Sequence, residues 1–182
     1  MQKVSFKFIS AIISLTLIFT IIPINVYCVN NELNTAPNIS VIGGELKGKN
    51  ELLKYFNDLK RVRDNINTIN ISVEKAKENS QSIQQQIKSY SSELNSILNS
   101  LSKHKIIYKE SPADVFIANQ IEIIAYILNT ALQQQLILLQ TLLADQPGST
   151  ELFFSEYLVS IYYYITVADQ MIAYINNVYN IK

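Results

Sequence analysis

Tryptophan is absent from this chain of 182 residues, cysteine and histidine occur once each, and only four glycines and four prolines interrupt it. A single cysteine, Cys28, excludes an internal disulfide and any zinc cluster built from thiolates. The single histidine, His104, has no second histidine with which to make a metal-ligand spacing, and no run of acids has the order of a calcium loop. No glycine-rich stretch follows the pattern that cradles phosphate. Charge is also scarce: 16% of residues are charged and the formal net charge is zero, which argues against nucleic acid as a partner. No residue constellation signals a nucleophile with its base, and no cofactor site is implied. A non-enzymatic protein is expected.

What is present begins with Lys3 and Lys7 ahead of an uncharged run from Phe8 to Ile22, closed by Pro23. Fifteen apolar-rich residues are too few to cross a bilayer as a helix, and the layout is that of a secretory signal peptide over residues 1–28, with Val26 and Cys28 suiting a cleavage site. An exported protein, secreted or associated with the cell envelope, is the expectation. Residues 29–50 are rich in Asn and hold Pro37, Gly43, Gly44 and Gly48. They read as a flexible leader.

From residue 51 onward the pattern is helical. Apolar residues recur every seven positions at Leu52, Leu59, Ile66, Val73, Ile87, Leu94 and Leu101, with Ser80 the one exception. A second set, offset by three, runs through Tyr55, Val62, Ile69, Ala76, Ile83, Tyr90 and Ile97. This spacing predicts one long helix A over about 51–105 that lies along other helices. Ser111-Pro112-Ala113-Asp114 opens helix B, with serine as cap, proline in the first turn and an acid where the helix dipole favours it. Gln146-Pro147-Gly148 closes it in a turn, giving helix B over about 112–145 and helix C over about 150–179. The expected architecture is an all-α, elongated, antiparallel, coiled-coil-like bundle of three helices over residues 51–182.

The three lengths do not match. Helix A outruns helix B by about five turns, leaving Leu52, Tyr55, Phe56, Leu59, Val62 and Ile66 on one face beyond the hairpin. These six are the expected partner or oligomer interface, through self-association or another helical protein. A break at residues 65–72, whose β-branched and Asn residues are poor helix formers, would instead fold the overhang back as a fourth helix.

Charge divides the chain. Between Glu45 and Lys109 twelve Lys/Arg face seven Asp/Glu, while Glu110 to Lys182 holds one lysine against seven acids, so a basic segment is expected to pack beside an acidic one. Within the acidic part, Asp169 is expected on the rim of helix C facing the basic helix. His104 reads as a solvated residue at a helix end. Of Tyr162, Tyr163 and Tyr164, successive helical positions point about 100° apart, so Tyr164 belongs to the core and Tyr163 is the exposed contact residue. The stretch Ile123–Ala144 lacks charge for twenty-two residues, long enough to span a membrane, but its Asn, Gln and Thr would need partners in lipid. Partner binding through the long heptad helix is the first functional expectation. The alternative is a membrane-active, pore-forming-type protein that uses the apolar hairpin of helices B and C, although membrane contact is not favoured.

Overall fold

The computed structural model describes residues 45–144, 148, 151 and 153–179. The predicted signal peptide and most of the leader lie outside them, as does the Gln146-Pro147 part of the predicted turn. Among the described residues the fold is all-helical, with four α-helices: α1 (Lys49–Ile66), α2 (Val73–Ile107), α3 (Pro112–Leu143) and α4 (Leu158–Tyr179). A single π-helical turn, Phe153–Tyr157, leads into α4.

The single rod predicted over 51–105 is therefore corrected to two helices. The break comes without glycine or proline. Helix α1 tightens at its end, where the amides of Asn67, Thr68 and Ile69 donate to the carbonyls of Asp64, Asn65 and Ile66 at 3.3, 2.9 and 3.2 Å, three residues back rather than four. The Thr68 hydroxyl also donates to the Asn65 carbonyl, and Ser72, with extended backbone, accepts from the Lys75 amide and caps α2. Burial supplies the reason. Folding back puts Leu52, Phe56, Leu59, Val62 and Ile66 in the core, each contributing roughly 1.5–3 kcal/mol. Unwinding the six-residue link gives up helical hydrogen bonds with a net value of only about 0.5–1.5 kcal/mol each.

Helix α3 is central, packing against α1, α2 and α4. Its buried positions fall on several sides, among them Ile117, Ile121, Ile124, Leu128, Leu132, Leu138 and Leu142, as a helix between neighbours requires. Its start matches the sequence expectation, with Ser111 at the cap and Pro112 in the first turn. The turn beyond α3 includes Gly148 at φ 86°, a left-handed conformation that glycine adopts without strain. Helix α2 contains one non-helical residue, Asn79 (φ −131°, ψ 23°), beside the Ser80 that breaks the heptad.

Candidate functional site

Two parts of the bundle concentrate chemistry: a polar clasp where α1 and α3 begin and α2 ends, and the outer face of α3 and α4.

The clasp is built on Asp114, fully buried in the first turn of α3. Its carboxylate accepts from the amides of Lys47 (2.9 Å) and Gly48 (2.8 Å) and from the Ser111 hydroxyl (2.5 Å). Ser111 thus binds the acid three residues on instead of a backbone amide. Burial pushes the Asp114 carboxyl up, but the Ser111 hydroxyl, the two amides and the His104 ring outweigh it and hold the group below the usual carboxylate range.

His104, from the last turn of α2, is 1% exposed. The expectation of a solvated residue is corrected. Its Nδ1 donates to Glu51 Oε2 at 3.0 Å, and its Nε2 lies 3.4 Å from Asp114 Oδ1. The Tyr108 ring packs on one side of the imidazole at 4.4 Å between centroids, and Tyr55 meets it edge-on at 6.2 Å. Gly48 closes the cluster, since a Cβ there would lie 2.3 Å from His104 Cε1. The end of the predicted flexible leader is thereby pinned: Lys47 and Gly48 are fastened to α3 by their own backbone. The Ser111 hydroxyl serves Asp114 and not His104, so the cluster aligns no nucleophile with a base. It is a fastener joining three segments distant in sequence.

Further polar links join the basic segment to the acidic one. Lys105 Nζ donates to Asn119 Oδ1 (3.1 Å) and Glu122 Oε2 (2.6 Å) across α2 and α3. Arg63 of α1 makes a two-pronged pair with Asp169 of α4, and this bonding pushes the guanidinium pKa further up. Asp169 thus meets the basic segment from the rim of its helix.

The six predicted interface residues meet a different fate from the one expected. Leu52, Phe56, Leu59, Val62 and Ile66 are buried in the chain's own core, and Tyr55 is half-buried beside His104. Folded this way, the protein does not present them to a partner. Tyr163 is 64% exposed, with its ring edge-on to that of Tyr164.

The sequence singles out the apolar hairpin of helices B and C, with Tyr163 as an exposed contact, but not which of its other residues face outward. Ile123, Tyr126, Ile137 and Leu143 of α3 and Val159, Tyr162, Tyr163 and Tyr174 of α4 are exposed. They are eight of the ten large apolar side chains exposed among the described residues, so exposure of apolar surface is concentrated here. Between Ile123 and Leu143 no residue is charged, and in α4 only Asp169 is. The signal was present in the sequence as missing charge, but periodicity alone does not say which uncharged positions face outward.

Comparison with protein-family models, with curated proteins and with solved structures finds no match to this chain.

Proposed function

We propose that this is an exported, non-enzymatic helical-bundle protein that acts by binding, through self-association or another protein, with the uncharged outer face of α3 and α4 as its contact surface. The single observation that carries the reading is the concentration of exposed isoleucine, leucine, valine and tyrosine on these two helices, which hold no charged residue in α3 beyond Glu122 and only Asp169 in α4. Exposed apolar side chains concentrated on two packed helices favour a contact site, and tyrosine is favoured at interfaces because a flat apolar ring ends in a hydroxyl. The heptad seam drives folding of the monomer instead of association. Export rests on Lys3, Lys7 and the apolar run that follows them.

Sedimentation of the purified protein tests the reading. Association is expected at roughly tens of micromolar, and Tyr126→Glu with Tyr162→Glu is expected to abolish it with the helical circular dichroism intact. A strictly monomeric protein that also captures no partner through this face in cross-linking would overturn it.

A second reading, membrane activity, is favoured by one observation. Two segments, Pro112–Leu143 and Ser155–Asn177, are long and apolar enough to cross a membrane. The first is the central core helix, which meets the same criterion for reasons of packing. Dye release from liposomes, abolished by a disulfide locking α4 to α3, would promote this reading over the first.

A further inference from the structure

One imidazole ring in the clasp meets two carboxylates. Glu51 of α1 faces His104 Nδ1 at 3.0 Å, and Asp114 Oδ1 of α3 lies 3.4 Å from Nε2, a nitrogen buried without a hydrogen bond. The His104 and Asp114 side chains are both fully buried. Among the described residues of the clasp, neither carboxylate has a lysine or arginine side chain within ion-pair distance. Tyr55 of α1 meets the ring edge-on, and Tyr108 stacks beside it while its hydroxyl donates to Glu51 Oε1 at 3.4 Å. Lys47 enters the cluster through its backbone amide, Lys105 is engaged by Asn119 and Glu122, and Lys49 and Lys103 are exposed. The Asp114 oxygen that faces the ring is also the one that holds the Gly48 amide, at 2.8 Å. Gly48 in turn stands against the ring carbon between the two nitrogens, where a Cβ would lie 2.3 Å away.

We propose that the clasp is a proton-operated strap: His104 takes up a proton between Glu51 and Asp114, that proton fastens Lys47 and Gly48 across the starts of α1 and α3, and the strap loosens as pH rises. A neutral imidazole has one N–H and one lone pair, so it donates to one carboxylate and turns its lone pair on the other. The imidazolium presents an N–H to each and sets a positive charge between two negative ones. Asp114 cannot turn aside, because two amides and the Ser111 hydroxyl already hold it. Without the proton it is a buried charge lacking a counter-ion, which is costly, and the oxygen set against the ring lone pair is the one on which Gly48 is fastened. A proton held more tightly in the folded chain than in the unfolded one adds stability on the acid side and withdraws it as pH rises. The Asp114 carboxyl has the opposite sign, its contribution being lost as pH falls, so the two effects separate along the pH axis. The proposal is independent of the contact-face reading.

The chain has a single histidine, so long-range proton–nitrogen NMR of the purified protein reads this ring without ambiguity. At about pH 6.5, where a free imidazole is half protonated, both ring nitrogens should carry protons in nearly all molecules. Glu51→Gln should weaken the ring's hold on its proton by about threefold, a modest factor because Glu51 is 47% exposed. Protection of the Lys47 and Gly48 amides against hydrogen exchange, corrected for intrinsic rates, should drop by about tenfold between about pH 5.5 and pH 8.5. In His104→Gln it should stay level over that range. A ring half protonated or less at about pH 6.5, level amide protection in the unaltered protein, unchanged ring titration in Glu51→Gln, or an equal drop in folded His104→Gln would each overturn the strap. Should His104→Gln fail to fold, the ring titration and the amide protection of the unaltered protein decide between the same outcomes.

Discussion

Helices α1 and α2 and helices α3 and α4 solve the same packing problem with opposite surfaces. Both pairs bury a seam of leucine and isoleucine. Outside the seam, α1 and α2 carry most of the basic residues and internal pairs such as Arg61 with Glu93 at 2.8 Å, while α3 beyond Glu122 and α4 apart from Asp169 carry none. A fold needs only the seam. What the outer face is made of answers to solvent or to a partner, so the difference between the halves, and not the seam, is what favours the proposed contact surface on α3 and α4.

The comparison can be broken most severely from inside. Leu59→Asp with Val62→Asp would place two unpaired charges in the core of the charged half. The penalty is comparable with a whole domain stability of about 5–15 kcal/mol, so loss of the cooperative thermal transition is expected. Had these residues formed an external interface, the double variant would instead melt normally as a monomer.

Next in size is the clasp. Asp114→Asn should cost about 3–5 kcal/mol in urea unfolding, as expected for breaking a buried charged network. A carboxyl held below its unfolded value of about 3.9 stabilises the fold above that pH. Its contribution is lost as pH falls through the lowered folded value, so acid titration of the unaltered protein should show stability falling below about pH 4, and the variant should lose that component of the slope.

The bond between the halves is smaller. A double-mutant cycle on Arg63→Met and Asp169→Asn should give a coupling of about 1 kcal/mol that shrinks with added salt, because Asp169 is 41% exposed and solvent screens the pair. Smallest on stability are Tyr163→Ser and Ile123→Ser, each within about 0.5 kcal/mol in thermal melts. They sharpen the contrast if they nevertheless weaken association in sedimentation.

Much of the architecture is legible in the sequence because it is local. Ser111 and Pro112 set the start of α3, and the heptad residues of 52–101 apart from Ser80 occupy the core or its edge. The break between α1 and α2 is not legible in the same way. The weak helix formers at 65–72 permit it, but burial of Leu52 to Ile66 against α2 and α3 decides it, and that energy is tertiary. Ser80 was a readable irregularity in the heptad, and the chain departs from helical geometry at its neighbour Asn79. The clasp was hidden because Gly48, His104 and Asp114 come from three segments. Only the short connection from His104 to Ser111 hinted that the histidine and the capping acid would meet.

The link itself has one more consequence. Its six residues, 67–72, contain neither glycine nor proline and join two helices in register with one heptad. Wound into helix, they would fuse α1 and α2 into a rod and carry Leu52, Phe56, Leu59 and Val62 away from the α2 and α3 surfaces they now pack on. The same surfaces of α2 and α3 on a second copy offer the same groove, so exchange of α1 would rebuild each core contact in trans. The closed monomer and the domain-swapped dimer then differ only in the hinge, and the balance between them rests on hinge composition and protein concentration rather than on any new interface.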